Sequence, residues 1–505
     1  MGYSLTRHNR ALVVIAAVAF VTLINGSCQR RPTPTNNANN DSGTPSPTAA
    51  VSQVVIPPWP PAFPPELPPA SLSGNIPLSV PLPQQINSPV QIRPDFDYFS
   101  WQSFIALNWP AATGSRGVPN QPGNPDVFLK AAPGTPLVWG TYKDSFELFG
   151  QMGQRPTPWN STDMAVAPCP GGQPGQKTLA FLSKGNTPLM QTSQAFSFPL
   201  IDQRGNFVYY DIRYDEAQYN FIRGDDGKPS SWLYLLKNLM PAENVPKGLQ
   251  MPGSSPPSTL GSIMVKAAWR IKTDKDDATR YYSTTAQIYD PLKQSCTQTT
   301  VLLVGLHIAH KVSPFTEWVW STFEQVDNVP ADAGVTPTRQ PPPNGYSFNN
   351  GTATPATPNG YDYKPAVATS VQPAPAVQPS PGTPVQVTRV NPIPDTPQGA
   401  STRDFNAYYQ QLLKGTVWQY YELVVTQWPF NPGLDSFVLM QNGGVYPRDA
   451  GAAFPVNGAV NTTMETYFQD QNDAAGAGGN SCMSCHYRAG QSDFSWGLNR
   501  RAHDG

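Results

Sequence analysis

Proline sets the first limit on this chain, occupying 58 of its 505 positions. That is about one residue in nine, roughly twice the ~5% of an ordinary protein. Each proline removes a backbone donor and clashes with the preceding helical turn, so long helices, helical bundles and coiled coils are excluded. Short helices, strands and extended segments remain. The chain is not a disordered polymer either, because 12 Trp, 21 Tyr and 22 Phe can fill a large core. Lys and Arg number 33 against 34 Asp and Glu, and charged residues make up only 13% of the chain. Such a balance supplies no global field for nucleic acid or an anionic membrane.

The N-terminus has the pattern of an export signal. Arg7 and Arg10 precede the apolar run Ala11 to Ile24, and Asn25-Gly26-Ser27 lead to Cys28. An apolar run of about 14 residues is too short to cross a ~30 Å hydrocarbon core and suits a signal peptide. Residues 1–27 are therefore expected to be removed. The ending resembles a bacterial lipoprotein lipobox, with Asn25 where Leu is preferred. That resemblance implies lipidation of Cys28 and a membrane anchor. With Gln29 next, it implies an outer-membrane lipoprotein facing the periplasm or the cell surface.

Composition then divides the mature chain. Residues 28–93 are rich in Pro, Ser, Thr and Asn and read as a disordered stalk, biased towards polyproline II. Residues 94–330 read as a β-rich globular block. A helix is expected from the spacing of Tyr98, Trp101, Ile105 and Asn108, stopped by Pro110. Strand signals follow at 137–142, 200–214, 263–269, 281–289, 299–310 and 317–328. Residues 331–400 read as a low-complexity surface loop. In 401–505, Ser401 and Asp404 form a capping-box pattern ahead of a helical face of Phe405, Tyr408, Tyr409 and Leu412. The expected fold class is α+β, a β-rich mixed domain with a partly helical C-terminal segment packing back on it.

Cys482-Met483-Ser484-Cys485-His486 is C-x-x-C-H, the attachment pattern of a c-type haem. Two thiols three positions apart lie on one helical turn and can form thioethers with both haem vinyls. The adjacent His486 is then the proximal iron ligand. One motif means one covalent haem c. A zinc site needs two more ligands, and only His307 and His310 offer a second pair. The small class I cytochrome fold is excluded, because its Met ligand follows the motif and no Met follows His486. The sixth ligand must come from elsewhere: His307 is favoured, with His310, Met464 or no protein ligand as alternatives. Met483 lies inside the attachment turn, and His503 lies in the terminal tail.

The pieces Trp101-Gln102-Ser103-Phe104-Ile105-Ala106-Leu107-Asn108-Trp109-Pro110, Gly305-Leu306-His307-Ile308, Trp320-Ser321-Thr322-Phe323-Glu324 and Asn461-Thr462-Thr463-Met464-Glu465-Thr466-Tyr467 stand ahead of C-x-x-C-H. Together they resemble a bacterial family of large, exported, single-haem cytochrome c proteins. The resemblance spans most of both ordered blocks. It implies haem binding and electron transfer, favours His307 as ligand, and supplies no substrate.

Cys169 and Cys296 could pair as a disulfide in an oxidising compartment. Gly171 to Thr178 imitates a phosphate loop but has Gln176 where a Gly must precede Lys177, so no nucleotide is expected. The leading expectation is an electron carrier of the cell envelope, working with redox partner proteins. A haem oxidoreductase or peroxidase with an open sixth position is the first alternative, since 505 residues exceed what one carried haem requires. A redox-sensing or binding protein is the second.

Overall fold

A computed structural model describes residues 56–149 (without 85 and 87), 156–161, 169, 177–179, 200–224, 250–290, 295–331 (without 316), 341–351, 384–429, 437–439, 445–447, 453–466 (without 456), 469, 481–486 and 493–495. The expected signal peptide, Cys28 and His503 lie outside the described residues.

The described residues are built on one nine-stranded, largely antiparallel sheet. Its strands are β1 (Lys143–Asp144), β2 (Thr178–Leu179), β3 (Val208–Tyr214), β4 (Ile263–Ile271), β5 (Ser283–Asp290), β6 (Ser295–Lys311), β7 (Trp318–Gln325), β8 (Tyr421–Pro429) and β11 (Ala453–Phe454). A separate two-stranded pair joins β9 (Phe437–Leu439) and β10 (Val445–Pro447). The main path runs β1-β3-β4-β6-β7-β8-β11. The long strand β6 organises it. One edge of β6 pairs with β4 over Val301 to His310. The other edge takes β5 along Ser295 to Leu302 and then β7 along Gly305 to Lys311. Among the described residues the helices are few and short: α1 (Arg93–Leu107), α2 (Pro125–Leu129), α3 (Ser145–Phe149), α4 (Glu216–Arg223), α5 (Thr402–Leu412) and α6 (Cys482–His486). Among the described residues, no helix is long and apolar enough to cross a membrane.

One face of the sheet is closed by α1 and α5. Helix α1 is buried nearly all round, as expected of a helix held between layers. Trp101 stacks on Tyr409 at 4.9 Å, and Phe104 stacks on Phe323 at 4.3 Å. Several polar groups in this layer bond one another. Asp97 accepts from Thr402 and Thr426 (2.6 and 2.9 Å), and the Ser100 hydroxyl bonds Ser321 and Thr426, both at 2.8 Å. At the start of α5 the Ser401–Asp404 capping box is present.

Four sequence expectations need correction. The stretch Leu137 to Tyr142 is not a strand: Val138 N–H donates to the Trp109 carbonyl and Trp139–Thr141 form a 3₁₀ turn. Burial of Trp139 against Trp269 fixes that turn in place of strand alternation. From residue 56 the expected stalk is laid onto the core. Phe63 stacks on Phe405 at 4.1 Å, Trp59 meets Phe63, Tyr98, Phe405 and Tyr408 edge-on, and Leu67 and Leu72 are buried. Prolines restrict the unfolded chain, so a few apolar anchors suffice to hold such a segment. The ends of the low-complexity stretch are pinned as well, by buried Phe348, Val385, Val387 and Ile393. Finally, β8 is an interior strand of the same sheet, so residues 401–429 belong to the block that the C-terminal segment was expected to pack against. Cys169 and Cys296 are joined as a disulfide, with Cα atoms 5.4 Å apart.

Candidate functional site

Alternation along β6 separates its two histidines. His310 faces α1, where its ring lies 5.6 Å from that of Phe99. It is buried, neither ring nitrogen has a hydrogen-bond partner, and burial pushes its pKa down to about 3. His307 points to the opposite face. Across the strands it lies in register with Lys266 on β4 and Thr322 on β7, and Lys266 in turn pairs with Ile212 on β3. From Val301 to Lys311 only His307 is not buried, and Lys266 and Ile212 are also partly open. The second face therefore has an opening in the middle of the sheet.

Two C-terminal segments meet at that opening. The turn 461–466 rests on Gly305, where a Cβ would collide with the Thr463 hydroxyl. It is fastened by Asn461 Nδ2 to Thr322 Oγ1 and the Phe323 carbonyl, both 3.0 Å. Thr462 donates its N–H and hydroxyl to Glu324, both 2.6 Å, and Tyr210 donates to the Thr463 carbonyl at 2.7 Å. Met464 is thereby buried in an apolar cluster with Val304 and Ala268. Glu465 faces His307, whose Nε2 lies 3.1 and 3.2 Å from its two oxygens.

The second segment is α6 with the turn beyond it. Met483 N–H donates to Gln427 Oε1 at 2.8 Å, and the Cys482 thiol reaches the Ala459 carbonyl at 3.4 Å. Neither cysteine of the motif is in a disulfide, and burial pushes the Cys482 thiol up. The His486 ring packs 4.4 Å from that of Trp320. Its Nδ1 lies 2.7 Å from the Phe494 carbonyl. A carbonyl can only accept, so Nδ1 carries the proton and the lone pair is on Nε2. Burial holds His486 down at about 4, against the hydrogen bond to Phe494, which keeps the ring neutral at pH 7.

The Phe494 carbonyl is aimed by a strained turn. Asp493 and Phe494 have φ values of 50° and 61°, a region that costs a side-chain-bearing residue about 1–3 kcal/mol. Asp493 anchors the turn: its Oδ2 accepts from Lys311 Nζ at 2.6 Å and Met251 N–H at 2.7 Å, and its carbonyl accepts from Trp318 at 2.9 Å. Lys266 completes the site. Burial lowers its pKa, opposed by the charges of Glu465 and Cys485, and its ammonium lies 5.1 Å from the centre of the Tyr210 ring.

The fold thus brings His307 to the face that carries Cys482, Cys485 and His486, and takes His310 away from it. A zinc site using both histidines is not available. Among the described residues, no three His, Cys, Asp or Glu side chains gather as a metal ion held by protein alone would need. Glu465, Lys266, Trp320 and Phe494 were given no role from sequence. Only the Asn461-to-Glu465 spacing, which closes a turn on itself, could have marked one of them. No family model, curated protein or solved structure matches the chain.

Proposed function

We propose that this protein is an exported c-type cytochrome, carrying one covalent haem and passing electrons in the cell envelope. The observation that carries the reading is the hydrogen bond from His486 Nδ1 to the Phe494 carbonyl, 2.7 Å long and made by a strained turn. It leaves Nε2 unprotonated, the arrangement usual for a histidine that binds a metal. The other groups fit a haem too. Cys482 and Cys485 are not in a disulfide and stand one helical turn apart, and the sheet opens beside them at Ile212, Lys266 and His307. Bound haem supplies a one-electron couple. The chain supplies the thioether sulfurs, the proximal imidazole, a second imidazole from His307 and a largely buried setting. Lipidation at Cys28 and redox partner proteins complete the proposal, in line with the family the sequence resembles.

The pairing of His307 with Glu465 also favours a second reading, a haem oxidoreductase in which His307 handles protons at an open sixth position. Visible spectra of the matured protein, oxidised and reduced, with and without carbon monoxide, separate the two. Low-spin bands unmoved by carbon monoxide support the carrier. A high-spin spectrum that shifts with carbon monoxide rejects it in favour of the enzyme.

A further inference from the structure

His307 does not stand alone beside the motif. Both oxygens of Glu465 contact its Nε2. Glu465 is itself locked in place. Its Oε2 accepts the Asn461 N–H at 2.9 Å, and its own N–H donates to the Asn461 carbonyl at 2.9 Å. The Asn461 side chain is tied to Thr322 and Phe323 on β7, which pairs with β6 beside His307. Both Glu465 oxygens lie at Nε2, and Oε2 already accepts the Asn461 N–H, so the geometry sets Glu465 as acceptor and Nε2 of His307 as donor. In a neutral imidazole the lone pair is then on Nδ1.

His486 has the opposite arrangement, with Nδ1 donating and Nε2 free. Each imidazole on this face thus donates one N–H to a fixed protein oxygen and keeps one nitrogen for a ligand bond, the pattern expected of metal-bound histidines. We propose that Glu465 is a positioning residue of the haem site. It fixes His307 in the Nε2–H form, so that Nδ1 is the nitrogen His307 offers as sixth ligand. This rests on the haem reading above and on His307 as the ligand. A carboxylate partner makes the imidazole a stronger donor and favours the ferric state, lowering the potential.

The test compares matured parent, His307→Ala and Glu465→Gln proteins by visible spectrum, midpoint potential and cyanide affinity of the ferric form. Gln keeps the size of Glu465 and an acceptor for the Asn461 N–H but removes the charge. Glu465→Gln is expected to stay low-spin, with a higher potential and about 10–100-fold tighter apparent cyanide binding, since the weakened ligand is displaced more easily. A Glu465→Gln protein matching the parent in both quantities makes Glu465 only a brace for its turn and overturns the proposal. His307→Ala is expected to become high-spin and to regain low-spin bands with added imidazole. An unchanged His307→Ala spectrum instead removes His307 as ligand, a failure of the underlying reading that is distinguishable from the first. A measurement without variants uses nitrogen-15 NMR of the reduced, low-spin protein. A proton on Nε2 of His307 is expected, and a proton on Nδ1 overturns the proposal.

Discussion

His307 and His310 stand three residues apart on β6, and the sheet gives them opposite surroundings. The face that receives His310 is closed by α1, with stacked aromatic rings and hydroxyls that bond one another. The face that receives His307 has a partly open row, Ile212–Lys266–His307, against which the C-terminal turns deliver a carboxylate, a C-x-x-C-H helix and a carbonyl aimed at His486. A strand periodicity of two thus sorts chemically identical side chains into a helix-covered layer and a layer that meets the C-x-x-C-H turn. The helix-covered face should govern folding with little effect on the haem spectrum. The other should govern the spectrum.

Trp101→Ala attacks the closed layer hardest. It removes a fully buried ring stacked on Tyr409 and should cost ~3–5 kcal/mol in urea unfolding, leaving the visible bands of the folded protein unchanged. Asp493→Ala attacks the other face. It strips the partner from the Lys311 ammonium, and leaving a buried charge unpaired costs a comparable ~3–5 kcal/mol. Unlike Trp101→Ala, it should also move the visible bands, because Asp493 anchors the turn that holds the Phe494 carbonyl on His486.

His310 should make the closed face sensitive to acid. Its folded pKa of about 3 lies below the ordinary 6.5, so the unfolded chain takes up the proton first as pH falls. Its stabilising contribution is complete above pH 6.5 and declines below it, by roughly 3 kcal/mol between pH 6.5 and 4. Asp97, pushed up to about 6 by burial, acts in the opposite direction in the same window. The difference between parent and His310→Phe unfolding curves isolates the histidine, and a difference that does not change with pH would contradict this assignment. The smallest expected loss is Gly305→Ala. Its methyl group collides with Thr463 and should cost ~1–3 kcal/mol, while displacing Glu465 enough to raise the midpoint potential.

Much of the sheet was legible in the sequence, because β3, β4, β5, β6 and β7 are runs of β-branched and aromatic residues separated by turn formers. The Ser401–Asp404 cap and the C-x-x-C-H pattern were equally plain, since each is local. What composition misjudged was residues 56–93. Their prolines read as a stalk, yet Trp59 and Phe63 lie among them and find partners more than 300 residues away in α5. The 137–142 strand failed for the same reason, since Trp139 answers to Trp269, not to its neighbours. The role of His307 could be suspected from its apolar run. The pairing of His307 with Glu465 could not, because nothing local shows that residues 158 positions apart meet.

The most direct measurement matures the full chain in cells equipped for c-type haem attachment. It then asks whether haem stays on the polypeptide after denaturation and acid extraction. One haem per parent chain, and none on the Cys482→Ala/Cys485→Ala double variant, is the predicted result. A folded parent chain without bound haem, in cells that load a control cytochrome, would contradict it.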